Sequence, residues 1–315
     1  MTNRITVLGS INLDTTYHVD RMPQPGETIA ASNKTSAAGG KGANQAVAAA
    51  RSGASTAFIG MVGGDDAGQF MRTALAENNV DISNVFIQKD IGTGSAAIIL
   101  NQQGQNSIMV YGGANHEITP ATINQPAVID TIRNSDFLIA QFETPQAATL
   151  AAFKIAREHG VKAILNPAPA KEVSAELLAY TDLLVPNETE SEALTGITIT
   201  DAKSLAQTGA HFAHLGVHNL LITLGSKGVY LYQEKQATVL PAYKVQAIDT
   251  TGAGDTFIGS MTAQLKPDFS NLEEAVNYGQ TASSLAVQGL GAMPSIPTAA
   301  QIAVAQAKNL TSTDA

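Results

Sequence analysis

From about residue 119 onward the sequence alternates helical and apolar strand-like runs in strict succession. A helix over 120–133 is followed by a strand over 136–140, a helix over 146–159, a strand over 161–165 and a helix near 172–180. A strand over 182–185 then leads to helices over 188–195 and 201–215 and a strand over 218–223. Helix after strand, repeated, confines a chain to a parallel sheet covered on both faces. Upstream, 4–9 reads as a buried strand, 41–52 as an Ala-rich helix stopped by Gly53, 56–60 as a strand and 67–78 as a helix. Extended pieces at 15–20 and 27–33, and a hairpin of 95–100 with 107–111, break the rhythm and predict a small separate sheet inserted from two places.

The resulting expectation is an α/β fold, a doubly wound and mostly parallel sheet flanked by helices. With 315 residues, 44% hydrophobic and 14% charged, the chain can bury a core of that size. A net charge of −9 disfavours nucleic acid as a partner, because phosphate backbones are repelled. The absence of cysteine excludes disulfides, thiol catalysis and thiolate metal sites. No apolar run approaches the roughly 20 residues of a membrane span, so no membrane association is expected. The polar turn after a short N-terminal apolar run argues against a signal peptide, which makes the cytoplasm the default compartment.

Ligands of open α/β sheets lie beyond the carboxyl ends of the strands, and several polar, Gly-rich segments fall there. The sharpest is Asp249-Thr-Thr-Gly-Ala-Gly-Asp255, between a strand-like stretch at 245–248 and an apolar helix. Gly252, Ala253 and Gly254 then stand at a helix N-terminus, whose free N–H groups and positive dipole end favour phosphate. A carboxylate at Asp255 fits there if it accepts a proton from an attacking hydroxyl while the amides hold the transferring phosphoryl group. A Gly-rich turn with Asp in the first helical turn is the plainer reading of the same residues.

Neither Gly39-Gly-Lys-Gly42 nor Gly225-Ser-Lys-Gly228 has the Ser/Thr after Lys that a Walker A loop requires. Phe257 occupies the last place of a would-be G-x-G-x-x-G, so a dinucleotide fold is poorly supported. Gly39-Gly-Lys-Gly-Ala-Asn44 opens a helix, with Lys41 and Asn44 three apart on one face, which suits the hydroxyls of a sugar or a simple tight turn. Asn12 and Asp14, two apart along an extended segment, point to one side and could grip vicinal hydroxyls, or serve turn chemistry. Asn187-Glu-Thr-Glu190 fits a capping box and also a site near phosphate and Mg²⁺. Thr223-Leu-Gly-Ser-Lys-Gly228 suits a nucleotide cradle or a β-turn, and Glu143 ends a strand at the cleft. The six histidines show no metal spacing.

Together these motifs resemble the ribokinase branch of the PfkB-type carbohydrate kinases, over nearly the whole chain. Gly39-Gly-Lys-Gly-Ala-Asn-Gln-Ala-Val-Ala48 looks like the family's first signature and Asp249-Thr-Thr-Gly-Ala-Gly-Asp-Thr-Phe257 like its second. Asn166-Pro-Ala-Pro-Ala170 and Asn187-Glu-Thr-Glu190 look like further segments. The resemblance implies a main α/β domain (1–14, 34–94 and 112–315) with a small β lid (15–33 and 95–111), lids that pair in a homodimer, and transfer of phosphate from ATP to the 5-hydroxyl of D-ribose. It implies Asp255 as base and Gly252, Ala253 and Gly254 as anion hole. Ribose would meet Asn12, Asp14, Gly40, Lys41, Asn44, Glu143 and Asp255. ATP would meet Asn187, Thr223, Gly225, Ser226, Gly228, Gly254 and Gln280, with Glu190 near Mg²⁺. A monovalent cation, K⁺, would sit among Asp249, Thr251, Ala286, Gly289, Gly291 and Ser295. Gln280 departs from the Asn or His common at the adenine side.

Overall fold

The computed structural model describes residues 2–312. The first strand β1 (Arg4–Leu8) lies inside a nine-stranded sheet and is buried from Ile5 on. Beside it on one side run β4 (Ser55–Gly63) and β5 (Val80–Gln88). On the other run β8 (Phe137–Ala140), β9 (Lys162–Leu165), β10 (Leu183–Leu184) and β11 (Asn219–Thr223), all parallel to it. An antiparallel hairpin, β12 (Val229–Gln233) and β13 (Gln236–Leu240), closes that edge. The chain thus winds outward from β1 in both directions, and the switch point lies between β1 and β8.

Helices cover both faces, as the continuous apolar runs of the inner strands require. One face carries α1 (Lys41–Arg51), α9 (Ala253–Gln264) and α10 (Leu272–Ala286), packed through Val47, Phe58, Phe257 and Met261. The other carries α3 (Pro120–Ile123), α4 (Pro126–Arg133), α5 (Gln146–Glu158) and α8 (Ala202–His214), around Phe142, Phe153 and Phe212. α2 (Asp66–Glu77) follows β4, α6 (Ala175–Ala179) and α7 (Glu188–Thr195) flank β10, and α11 (Ala292–Ser295) and α12 (Ala299–Ser312) come last. Among the described residues no helix is long and apolar enough to cross a membrane.

The small sheet exists and has four strands in the order β3 (Asn33–Gly39), β2 (Asn12–Val19), β6 (Gly94–Asn101), β7 (Asn106–Tyr111). Its second strand runs over 33–39 rather than the expected 27–33, because the Pro-rich turn is followed by an irregular stretch before pairing begins at His18–Asn33. Two other expectations are corrected. The helix over 120–133 is two helices, since Pro126 removes a donor and starts its own first turn. The segment 245–248 is not a strand: Val245 and Ile248 are exposed, and the Ile248 amide donates to the Val287 carbonyl.

Candidate active site

The end of β1 and the end of β8 meet at the switch point. The Ser10 hydroxyl donates to Glu143 Oε2 at 2.5 Å, and the Lys41 amide donates to the same oxygen at 3.1 Å. Gly40, with φ of 93°, is the N-cap of α1. That helix then presents Lys41, Asn44 and Gln45 toward α9. The two helices approach closely because Gly259 has no side chain: a Cβ there would sit 2.2 Å from the Gln45 carbonyl oxygen.

Asp255, in the first turn of α9, is 7% exposed and accepts on both oxygens. Asn44 Nδ2 donates to Oδ2 and Gln45 Nε2 to Oδ1, each at 3.0 Å. Burial pushes its carboxyl up from the usual range, while Lys41 and the two amides pull it back and Glu143 pushes it further up. A carboxyl raised toward neutrality but held by donors suits a general base. Burial would strip the proton from Lys41, but Asp255, Glu143 and Glu190 outweigh it and hold the ammonium above its ordinary value. Glu190 is itself pushed up by burial, against the Asn187 amide and Lys41.

Asn12 and Asp14 lie in β2, across the site from α9. Asn12 Oδ1 accepts from Asn115 Nδ2 at 2.8 Å, and Asn115 Oδ1 accepts the Ile11 amide at 2.9 Å. Asp14 is pushed up to about 7, first by burial and then by Glu143 and Asp255. Folding therefore favours protonated Asp14. The stability it contributes is full below the ordinary value of 3.8 and is lost as pH rises through about 7. The unliganded protein is expected to melt at lower temperature as pH rises across that window, with Glu190 and Asp255 acting in the same direction. An Asp14→Asn variant should flatten the slope; melting curves at stepped pH check this.

The sequence-based nucleotide residues converge less completely. Thr223, Gly225, Ser226, Gly228, Gly254 and Gln280 line one cleft of about 460 Å³ that opens onto the N-terminus of α9. Gln280 is buried and its Nε2 has no partner, so it offers a donor to an acceptor in the cleft. Asn187 does not line this cleft. It caps α7, its Oδ1 accepting the Glu190 amide at 2.7 Å while Glu190 Oε2 accepts its own amide at 2.8 Å. A β-bridge to Thr223 keeps it beside the cleft.

Gly252, with φ of 74°, turns the chain into α9. The Ala253 amide closes this turn onto the Thr250 carbonyl at 3.2 Å, so of the three expected amides it is the one turned inward. By helix geometry the amides of Gly254 and Asp255 have no acceptor within their own helix. Asp249 braces the same loop: Oδ1 accepts the Thr251 amide and hydroxyl at 2.9 and 2.6 Å, and Oδ2 the Gly291 amide at 2.9 Å. These bonds hold Asp249 below the usual carboxylate range against the upward push of burial. The Ser295 hydroxyl donates to the Leu290 carbonyl, and the Gly289 amide to that of Ala286. All six residues expected around a cation are thus gathered, with carboxylate, hydroxyl and carbonyl oxygens of the kind hard cations take.

The profile described as pfkB family carbohydrate kinase matches residues 2–299. The chain belongs to that family. Among relatives of this pfkB chain, a ribokinase of Staphylococcus aureus (strain COL) is 45% identical over 298 residues, covering 94% of this chain and 97% of the relative. A ribokinase of Haemophilus influenzae is 42% identical, covering 95% and 96%. The solved structure of an Arabidopsis thaliana ribokinase complexed with ribose and ATP superposes with a TM-score of 0.91 at 34% identity, over 97% of this chain and 99% of that one. The large mostly parallel sheet and the smaller separate sheet are those of a pfkB-type sugar kinase. Two positioning groups escaped the sequence reading, Asn115 behind Asn12 and Gln45 behind Asp255. Gln45 stands inside the first signature, and that was the only signal available for it.

Proposed function

We propose that the chain phosphorylates D-ribose at its 5-hydroxyl with ATP, giving ADP and D-ribose 5-phosphate. The observation that carries this is Asp255. It is a buried, doubly hydrogen-bonded carboxylate in the first turn of a helix whose N-terminus borders a cleft of about 460 Å³, with Lys41, Glu143 and Asp14 close enough to act on its charge. Asn44 Oδ1 is buried and without a partner, an acceptor that a sugar hydroxyl would satisfy. Asn12, Asp14, Gly40, Lys41 and Glu143 surround the same space and would fix the ring. Asp255 takes the proton of the attacking hydroxyl, and the amides of Gly252 and Gly254, with Lys41, receive the charge of the transferring phosphoryl group, the Ala253 amide being held by the Thr250 carbonyl.

Mg²⁺, when bound with the nucleotide, would neutralise phosphate charge, and Glu190 with Asn187 would hold its surroundings. Such an ion is ordinarily held by one or two carboxylates together with phosphates and water. K⁺ would be held at Asp249, Thr251, Ala286, Gly289, Gly291 and Ser295, where it would fix the geometry of the 249–252 loop without touching the sugar. The small sheet would act as the lid over ribose. Its edge strand β7, with Ile108, Met109, Val110 and Tyr111 all exposed, supports pairing of two copies through the lids. We place this activity in the cytoplasm, where ATP is available.

The test is ADP release from ATP and Mg²⁺ with ribose, 2-deoxyribose, fructose and adenosine, each with and without K⁺. Ribose is expected to give the highest turnover, rising with K⁺; 2-deoxyribose should bind worse because it leaves a buried polar group unpaired. Preference for another sugar would overturn the substrate, and no turnover from folded protein would overturn the reaction.

A further inference from the structure

We infer that Gln45 is a positioning residue for the base, and that a buried carboxamide chain running under the ends of three sheet strands holds it in place. This rests on the reading of Asp255 as the base.

Gln45 is fully buried. Its Nε2 gives one hydrogen to Asp255 Oδ1 at 3.0 Å and the other to Asn166 Oδ1 at 3.1 Å. Its Oε1 accepts from Gln141 Nε2 at 2.6 Å. Asn166 is oriented in turn by its own Nδ2, which donates to the Val185 carbonyl at 2.9 Å. Gln141, Asn166 and Val185 each directly follow a strand, β8, β9 and β10 respectively. Each amide can therefore be placed only one way round. If Gln45 were flipped, its oxygen would face both the Asn166 oxygen and the Asp255 carboxylate, and its nitrogen would face the nitrogen of Gln141. The sheet thus dictates that a donor, and not an acceptor, meets Asp255 Oδ1. Asn44 supplies the donor on the other oxygen but keeps an unpartnered Oδ1, so it is the member of the pair free to engage substrate. Both Gln45 Nε2 hydrogens are already given, to Asp255 and Asn166, so it has no donor left for substrate.

A donor on a carboxylate favours its ionised form. Around Asp255 the charged and titratable groups are Lys41 from α1, Glu143 after β8, Glu190 from α7 and Asp14 from β2, and three of the four are carboxylates. Removing the Gln45 donor leaves their repulsion less opposed, so the base should hold its proton to higher pH. Gln45→Met keeps the volume and removes the bonds. Its kcat/KM profile is expected to have its acidic limb moved upward by about one pH unit, with about a tenfold loss below that limb and convergence toward the parent at high pH. The KM for the sugar should stay unchanged.

Gln141→Leu is the companion variant, because the side-chain hydrogen bond it removes is the one to Gln45, and it also removes a buried oxygen, Gln141 Oε1, that has no partner and packs against Gly9. It is expected to remain folded and to move the limb in the same direction by a smaller amount. A purely structural role would lower the melting temperature of both variants and leave the limb where it was. Asp255→Asn, measured alongside, separates the two claims. If it is inactive while both glutamine variants titrate as the parent does, the positioning role is overturned and the base stands. If it is fully active, the base reading itself is lost.

Discussion

Replacing Asp255 with Asn is expected to reduce kcat by roughly a thousandfold while sugar affinity stays close to that of the parent. Removal of a positioned general base typically forfeits about 10²–10⁴ in rate. The middle of that range applies here: Glu143 is engaged by Ser10 and the Lys41 amide and Glu190 by the Asn187 amide, while Asp14 stands on β2, outside the first turn of α9. The variant should fold. Burial disfavours the charge on Asp255, so deleting that charge relieves a strain, offsetting the donor that Asn turns toward Asn44 or Gln45. Calorimetric titration with ribose, beside steady-state kinetics, separates binding from turnover. An unchanged kcat would remove Asp255 from the chemistry.

The second large effect is expected at Gly252. Its φ of 74° is one that L side chains adopt at a cost of about 1–2 kcal/mol, and an added Cβ would meet the Ala292 Cβ at 2.7 Å. Gly252→Ala must therefore shift the loop against α11, by a distance that matters when the neighbouring amides have to meet a transferring phosphoryl group. A misplacement of about 1 Å lowers rates by about a hundredfold. The expected result is a kcat about two orders of magnitude lower, a lower melting temperature and unchanged sugar binding, since the sugar-facing residues lie elsewhere. If kcat were retained, the anion-hole role would fall, whatever the stability change.

How much of this was legible in the sequence depended on how local each signal is. The helices at 188–195 and 201–215 and the strand at 218–223 came out within a residue, because caps and apolar runs are written in neighbouring positions. The β12–β13 hairpin was missed. Its turn is Glu234-Lys235, both at positive φ, where Asn-Gly would have announced it. β5 was missed too, since Val80-Asp-Ile-Ser-Asn84 carries polar residues that read as loop. At the site, both signatures pointed to the residues that approach one another. The bonds behind them did not show, because Gln45 meets partners 96, 121 and 210 positions away in the chain. Only the fold brings those together, and no periodicity encodes an amide's orientation. Ala253 likewise looked equivalent to its neighbours until the turn was seen to use its amide.

The main sheet and the small sheet supply different parts of the site. Asn12 and Asp14 come from β2 of the small sheet, whereas Asp255, the Gly-rich turn and the cleft proposed for the nucleotide belong to the main one. Such a division makes the molecule evolvable in one particular way. Substitutions around Asn12 and Asp14 can retune one side of acceptor recognition without disturbing the machinery that handles the nucleotide, while Lys41, Asn44 and Glu143 hold the other side from the main sheet. Divergence within the family should then accumulate in the strands of the small sheet, and exchanging them between two members should shift acceptor preference while leaving phosphate transfer intact.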